Sequence, residues 1–290
     1  MAARIETKRL NMASEYSIAI LANDAAGSGG GAIEHGLALW VETPETRLLF
    51  DTGAGTALFV NAERLGVALD TADAIAISHG HDDHTGGLAR VLELNRTARV
   101  YLHPEALRPR YSRRADGRLH SIGMPGAARQ ALETMPDRVR WTAGPATVGP
   151  GLFVTGAILR RDPEVPADDR LFADAGGRQP DLLPDDQALW METPAGIVAV
   201  LGCAHAGLAP ALRRIAELSG RRRFRAVLGG FHLGRATDER CASVAEAVSE
   251  FDVREFIPLH CTGERFIAHL FRKWPDRVAR RGAGDRWRPI

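Results

Sequence analysis

Residues 78–87 read Ser-His-Gly-His-Asp-Asp-His-Thr-Gly-Gly, and this stretch decides the fold and the chemistry of the chain. A buried strand is predicted over 74–78 and a helix over 87–94, so the polar residues follow a strand directly. Imidazole and carboxylate groups at the carboxyl end of a strand can converge, and zinc, manganese and iron accept both as ligands. The stretch predicts a metal site. The alternative, solvated loop histidines, would leave several polar rings beside an apolar strand without partners.

Composition and charge exclude several classes of protein. The chain has 290 residues, of which 45% are apolar and 25% charged, which is typical of a globular protein with a large core. Its formal net charge of +1 favours neither nucleic acid nor an anionic membrane as partner. Cys203, Cys241 and Cys261 form no C-x-x-C pair, so no disulfide framework or thiolate zinc knuckle is indicated. The N-terminus shows no apolar leader, so a cytoplasmic location is expected.

Short strands alternate with helices in both halves of the chain. The predicted strands are 17–22, 37–42, 47–50, 74–78, 100–102, 188–193, 197–201, 226–228 and 255–258. The predicted helices are 57–65, 87–94, 127–135, 209–218 and 239–251. The uncharged window 194–212 is interrupted by glycine and proline, so it favours a buried strand, a turn and a helix start over a membrane span.

The pattern H-x-H-x-D-H at 79–84, with Asp51-Thr52-Gly53 upstream, resembles the metallo-β-lactamase superfamily. Further motifs resemble its 7,8-dihydropterin-6-methyl-4-(β-D-ribofuranosyl)aminobenzene 5'-phosphate synthase-like branch, over nearly the whole chain. They are Glu34-His35-Gly36-Leu37, Asp185-Asp186-Gln187-Ala188-Leu189, Gly202-Cys203-Ala204-His205-Ala206-Gly207, Gly229-Gly230-Phe231-His232-Leu233 and His260-Cys261-Thr262-Gly263. The resemblance implies an α/β fold, a four-layer αββα sandwich that forms a single domain over residues 1–290.

The resemblance also implies two adjacent metal positions, each built from residues at the ends of different strands. The first would contain His79, His81 and His205, and the second Asp83, His84 and His260. Asp51 would orient a ligand histidine through its ring N–H, with a turn-capping role as the alternative. We expect one or two divalent ions per chain, zinc first, with manganese or iron as alternatives.

One position departs from the superfamily pattern. The superfamily usually supplies an aspartate after the strand that precedes the last ligand histidine, but here the strand runs into Gly229-Gly230-Phe231-His232. His232 stands about where that aspartate would be. It is a candidate metal ligand, general acid or substrate contact, and a structural histidine is the alternative. A neutral imidazole brings no formal negative charge between two cations, so we expect the second ion to be the more weakly held.

The periodicity loosens over residues 105–143, and long irregular insertions in compact domains tend to be functional. We therefore predict that this stretch forms a lid over the metal cleft rather than part of the sandwich core. In the related branch, positions near the cleft or its lid correspond here to His35, Arg110, Tyr111 and Arg118, which are candidate substrate-binding residues. Arginines there would suit a phosphate or carboxylate, and packing or surface roles are the alternative.

These features predict a metal-dependent hydrolase. A divalent ion would activate water to attack a small anionic substrate, a phosphoester (as in a phosphodiesterase) or a cyclic ester or lactone, with Asp83 and His232 as catalytic residues. The synthase-like transferase activity of the branch is an alternative, and a metal-stabilised binding or sensing protein with little turnover is another. We expect no nucleic-acid or membrane partner. A homodimer is left open.

Overall fold

The computed structural model describes residues 16–160 and 168–289. The N-terminal residues on which the location was judged lie outside these ranges.

The N-terminal half builds a seven-stranded sheet in the order β17-β1-β2-β3-β4-β5-β8. Its strands are β1 (Ser17–Ala22), β2 (Ala38–Glu42), β3 (Arg47–Phe50), β4 (Ala74–Ala76), β5 (Arg99–Leu102), β8 (Val139–Trp141) and the C-terminal β17 (Arg286–Trp287). β3, β4, β5 and β8 run parallel, so their carboxyl ends meet at one edge. The helices of this half are α1 (Ala57–Arg64), α2 (Asp82–Thr85), α3 (Leu88–Leu94) and α4 (Gly126–Glu133).

The C-terminal half builds a second seven-stranded sheet, with the path β15-β14-β13-β12-β10-β9 and with β16 also paired to β14. Its strands are β9 (Ala146–Gly149), β10 (Leu152–Val154), β12 (Ala188–Thr193), β13 (Gly196–Leu201), β14 (Arg223–Gly230), β15 (Asp252–Val253) and β16 (Phe256–Leu259). β13, β14 and β16 are parallel, so they too end at one edge. The helices are α5 (Leu208–Ser219), α6 (Asp238–Val248) and α7 (Glu264–Lys273).

The two sheets pack face to face between two helix layers. Alternate residues of β13 show the arrangement, since Val198 and Val200 point into the core shared with Ile18 and Ile20 of β1. The intervening Ala199 faces the second core, which the sheet forms with α5, α6 and α7. A third core lies between the N-terminal sheet and α1, α3 and α4. The predicted αββα sandwich is therefore confirmed, because each sheet is apolar on both faces.

The stretch 105–143 divides between two environments. β6 (Tyr111–Arg113) and β7 (Leu119–Ser121) form a hairpin that pairs with β11 (Leu171–Phe172) in a small separate sheet beside the cleft. By contrast, Ala128 and Leu132 of α4 are buried in the N-terminal helix layer, and β8 extends the main sheet. The prediction that this whole stretch stands outside the core is wrong for residues 126–141, because α4 buries an apolar face against the sheet.

The window 194–212 forms β13, a turn and the start of α5, as predicted. Within the described ranges, no helix has the length and apolar character needed to cross a membrane.

Candidate metal centre

The polar motifs of the sequence meet at the edge where the parallel strands of both sheets end. His79 and His81 lie in the turn after β4, His205 in the turn between β13 and α5, and His260 directly after β16. The turns are sharp. Of the five described non-glycine residues with positive φ, four belong to this site: Asp51, Ala204, His232 and His260. Such backbone geometry is costly and is concentrated at functional sites.

The first predicted group of ligands is brought together. His79 Nε2 lies 3.0 Å from His81 Nδ1 and 3.2 Å from His205 Nε2. All three rings are buried. Burial lowers the pKa of each ring, and the neighbouring imidazoles and Arg110 lower it further, to about 3 for His81. The rings are therefore neutral at physiological pH, which is the form that binds a metal ion.

The second predicted group is adjacent and contains a carboxylate. Asp83 Oδ2 lies 3.3 Å from His260 Nε2 and 3.8 Å from His84 Nε2. Burial raises the pKa of Asp83, but His84 and His260 outweigh it and hold that pKa well below its usual range. The centroid of the His84 ring lies 4.2 Å from that of the His79 ring, so the two groups are in contact.

Asp51 orients histidines of both groups, as the resemblance implied for one of them. Its Oδ2 lies 2.7 Å from His84 Nδ1 and accepts a 2.7 Å hydrogen bond from Ser78 Oγ, which in turn lies 2.8 Å from His79 Nδ1. His84 carries its ring proton on Nδ1 because the Asp51 carboxylate can only accept a hydrogen bond. His79 also carries its proton on Nδ1, because Ser78 Oγ has already donated its own proton to Asp51. The Nε2 lone pairs of both rings are therefore directed into the site.

Asp24 orients histidine rings on the other side of the site in the same way, although no sequence motif had identified it. Its Oδ1 lies 2.6 Å from His260 Nδ1 and its Oδ2 lies 2.8 Å from His35 Nδ1. His35 Nε2 in turn lies 3.4 Å from Asp83 Oδ2. The signal available in the sequence was an acid placed just after β1, at the same edge as the other motifs. His35, predicted to bind substrate, therefore borders the second group.

A divalent ion fits this donor set. Around tetrahedral zinc, Zn–N bonds of about 2.0–2.1 Å put ligand nitrogens roughly 3.3 Å apart, close to the 3.0 and 3.2 Å found among the first three histidines. Three neutral imidazoles whose nitrogen lone pairs face one another cannot form hydrogen bonds among those lone pairs, whereas one bound cation can accept all three. Divalent-metal binding is also what the fold implies.

The motif Asp185-Asp186-Gln187 holds the ligand turns in place. The Asp185 carboxylate accepts a 2.8 Å hydrogen bond from the backbone of Gly80, between His79 and His81. Asp186 accepts a 2.7 Å bond from the backbone of Ala206, next to His205. These two acids act on the backbone of the turns.

Arg110 is a structural residue, which corrects the prediction of substrate binding. Its guanidinium contacts Asp181 and Asp185 at 2.5 Å each, and its side chain is only 2% exposed. Because both carboxylates are buried as well, the guanidinium neutralises the acid that holds Gly80 and is not available to a substrate.

Tyr111 and Arg118 do not line the cleft either. Arg118 is 80% exposed and pairs with Asp116. Successive residues of a strand point to opposite faces, and in this hairpin Ser112 and His120 are the residues that line the cleft. The sequence predicted the right segment but not the residues that line the cleft. Tyr111 lies on the opposite face of its strand from Ser112, whereas Arg118 lies in the turn of the hairpin and is exposed.

His232 lies beside the first group. Its ring centroid is 4.1 Å from that of His205, its Nε2 is 3.4 Å from Asp168 Oδ2, and it lines the cleft. Its Nδ1 is buried and has no hydrogen-bond partner among the described residues. Burial lowers the pKa of this ring, but Asp168 and Cys261 raise it to about 9.

The cleft above these groups has a volume of about 1220 Å³. Its lining residues include four arginines outside the predicted site residues: Arg160, Arg170, Arg235 and Arg240. They come from three separate segments, so the local sequence gave no sign that they converge.

An αββα sandwich with clustered histidines and aspartates at the shared sheet edge defines a class of metal-binding proteins. The chain belongs to the metallo-β-lactamase superfamily, whose family model matches residues 33–208. It is similar to a 7,8-dihydropterin-6-methyl-4-(beta-D-ribofuranosyl)-aminobenzene-5'-phosphate synthase of Methanocaldococcus jannaschii. The two are 29% identical over 265 residues, which cover 87% of this chain and 88% of that protein.

Solved structures give the same result. The crystal structure of Tm1679, titled a metal-dependent hydrolase of the beta-lactamase superfamily, has a TM-score of 0.79 and 29% identity, covering 94% of this chain and 98% of that one. YhfI of Bacillus subtilis, a metallo-beta-lactamase fold protein, has a TM-score of 0.56 and 12% identity, with coverage of 94% and 99%. The latter supports the fold alone.

Proposed function

We propose that this protein is a metal-dependent hydrolase of a small anionic ester, with a phosphoester or a lactone as the substrate class. The observation that carries the proposal is the pairing of two adjacent ligand groups with an arginine-lined cleft directly above them. A divalent ion bound there supplies a Lewis acid and lowers the pKa of a coordinated water. Zinc is the ion we expect first.

The residues of the chain divide the remaining work. Asp83 carries a negative charge at neutral pH and faces His260, so it helps to hold the ion and to position the attacking water. Arg235 and Arg240 line the cleft and suit an anionic group of the substrate through charge-assisted hydrogen bonds. His232 faces the same cleft beside His205, and we assign it the donation of a proton to the leaving group.

The test uses zinc-reconstituted protein with phosphodiester, phosphomonoester, lactone and thioester substrates. We expect hydrolysis that a chelator abolishes and zinc restores. Replacement of Arg235 and Arg240 by glutamine should raise KM for anionic substrates and leave KM for neutral esters unchanged, whereas the exposed Arg118→Gln should alter neither. Hydrolysis that is insensitive to chelators, or a complete lack of hydrolysis, contradicts the proposal.

A second candidate is the synthase activity after which the relative from Methanocaldococcus jannaschii is named, supported by similarity over 87% of the chain. It predicts condensation of a dihydropterin with a ribofuranosylaminobenzene phosphate and no turnover of the hydrolytic panel. Product analysis by mass spectrometry separates the two. A protein that binds zinc but turns over neither set would instead match a binding or sensing role.

A further inference from the structure

The thiol of Cys203 lies where the two ligand groups meet. Cys203 follows β13 in the turn that carries His205, and the left-handed backbone of Ala204 separates the two residues. The residue is 3% exposed, and its Sγ lies 3.2 Å from His84 Nε2. The thiol therefore points into the centre.

Among the described residues, several sets of closely spaced potential ligand atoms include this sulfur. It lies within 4.8 Å of ligand nitrogens of His79 and His84, of His205 and His232, and of His260 together with the Cys261 sulfur. His79 and His205 belong to the first group, whereas His84 and His260 belong to the second. Within the described ranges, Cys203 is thus a potential ligand that reaches both groups.

The end of the neighbouring strand β14 brings no side chain next to the Cys203 thiol. β14 finishes with Gly229-Gly230, where the superfamily pattern would bring a carboxylate. A Cβ on Gly230 would lie 2.7 Å from the Cys261 sulfur and 3.3 Å from the Cys203 Cα. The cysteine-bearing turns therefore pack too closely against β14 for a side chain at that position.

We propose that Cys203 is a thiolate metal ligand located between the two metal positions. A bound divalent ion deprotonates a coordinating thiol, so the S–H proton passes to solvent as the S–metal bond forms. β14 ends without a carboxylate, so the thiolate would supply the formal negative charge that offsets the repulsion between two bound cations. Thiolate also favours zinc over manganese or magnesium, which bind oxygen ligands. This inference rests on the proposed metal centre but not on hydrolysis.

The experiment loads metal-free protein with cobalt(II) and records the near-ultraviolet thiolate-to-cobalt charge-transfer band. We expect the band in the wild type and in Cys241→Ser, a matched control whose cysteine lies in α6 and is buried between the C-terminal helices and their sheet. We expect its loss in Cys203→Ser. Competition with a chromophoric chelator should show a lower zinc affinity in Cys203→Ser. Loss of a residue that only hydrogen-bonds to a metal ligand lowers affinity about 10–100-fold, so loss of a ligand should lower it by at least that much. In Cys261→Ser the band should persist.

Zinc X-ray absorption keeps the proposal testable if Cys203→Ser does not fold. In the wild type and in Cys261→Ser we expect a sulfur neighbour at about 2.3 Å from zinc. Bound metal without a sulfur neighbour overturns the proposal, as does a cobalt band that survives Cys203→Ser and disappears in Cys261→Ser. Neither readout uses turnover, so a failure of the hydrolase assay leaves this result independent.

Discussion

Replacement of Arg110 by methionine should destabilise the fold and weaken the metal centre. Methionine retains much of the side-chain volume but leaves two buried carboxylates without a counter-charge. Arg110 is 2% exposed, Asp181 5% and Asp185 0%, and each contact is 2.5 Å long. A pair this deeply buried costs about 3–5 kcal/mol when one partner is removed, whereas an exposed pair contributes about 0–1 kcal/mol.

Urea and thermal unfolding measure the effect. At about 2–4 °C per kcal/mol, the expected loss of stability lowers Tm by roughly 6–20 °C. Zinc affinity should fall as well, because Asp185 holds the backbone of Gly80 between two ligand histidines. The control is Arg118→Met, whose side chain is 80% exposed and whose free energy of unfolding should change by less than about 1 kcal/mol.

The opposite pattern would refute this reasoning. If Arg110→Met kept the Tm and the zinc affinity of the wild type but raised KM for an anionic substrate, Arg110 would be a substrate-binding residue, as the sequence analysis expected. The double variant with Asp185→Asn adds a check. The amide oxygen can still accept from Gly80 without a charge, so part of the lost stability should return.

Three further predictions concern the same centre. Zinc at a free concentration a thousandfold above its Kd should stabilise the protein by about 4 kcal/mol, so its removal with a chelator should lower the free energy of unfolding by that amount. An unchanged free energy of unfolding would argue against bound metal. Asp51→Asn releases the ring of His84, and Asp24→Asn releases the ring of His260. Each variant should bind zinc about 10–100-fold more weakly in chelator competition. Wild-type affinity in either variant would exclude that orienting role. Burial raises the pKa of Asp186 from 3.8 to about 7, so the folded chain holds that proton more tightly. This contribution to stability is complete below about pH 4 and is lost as the pH rises through about 7, so Asp186→Asn should flatten that part of the urea stability profile of metal-free protein, and an identical profile would count against it.

Much of the fold could be predicted from the sequence because periodicity reports burial directly. The strand predicted over 17–22 is observed as Ser17–Ala22, and the helix predicted over 209–218 as Leu208–Ser219. Shorter and more polar strands were missed, among them Tyr111–Arg113 and Leu119–Ser121. A strand of three half-buried or exposed residues is stabilised by its neighbours in space, and it leaves little alternation to recognise.

The sequence by itself determined the residue types of the candidate metal centre and their order, because His79, His81, Asp83 and His84 lie within six consecutive residues. It also determined the layers of the sandwich, since apolar runs of the right period must bury their faces. Only the tertiary structure decided which polar groups meet across long separations. Asp24 reaches His260 over 236 residues, Arg110 reaches Asp185 over 75, and the Cys203 thiol reaches His84 over 119. A periodic pattern specifies which face of an element is buried but carries no information on which distant polar partner will satisfy a group there.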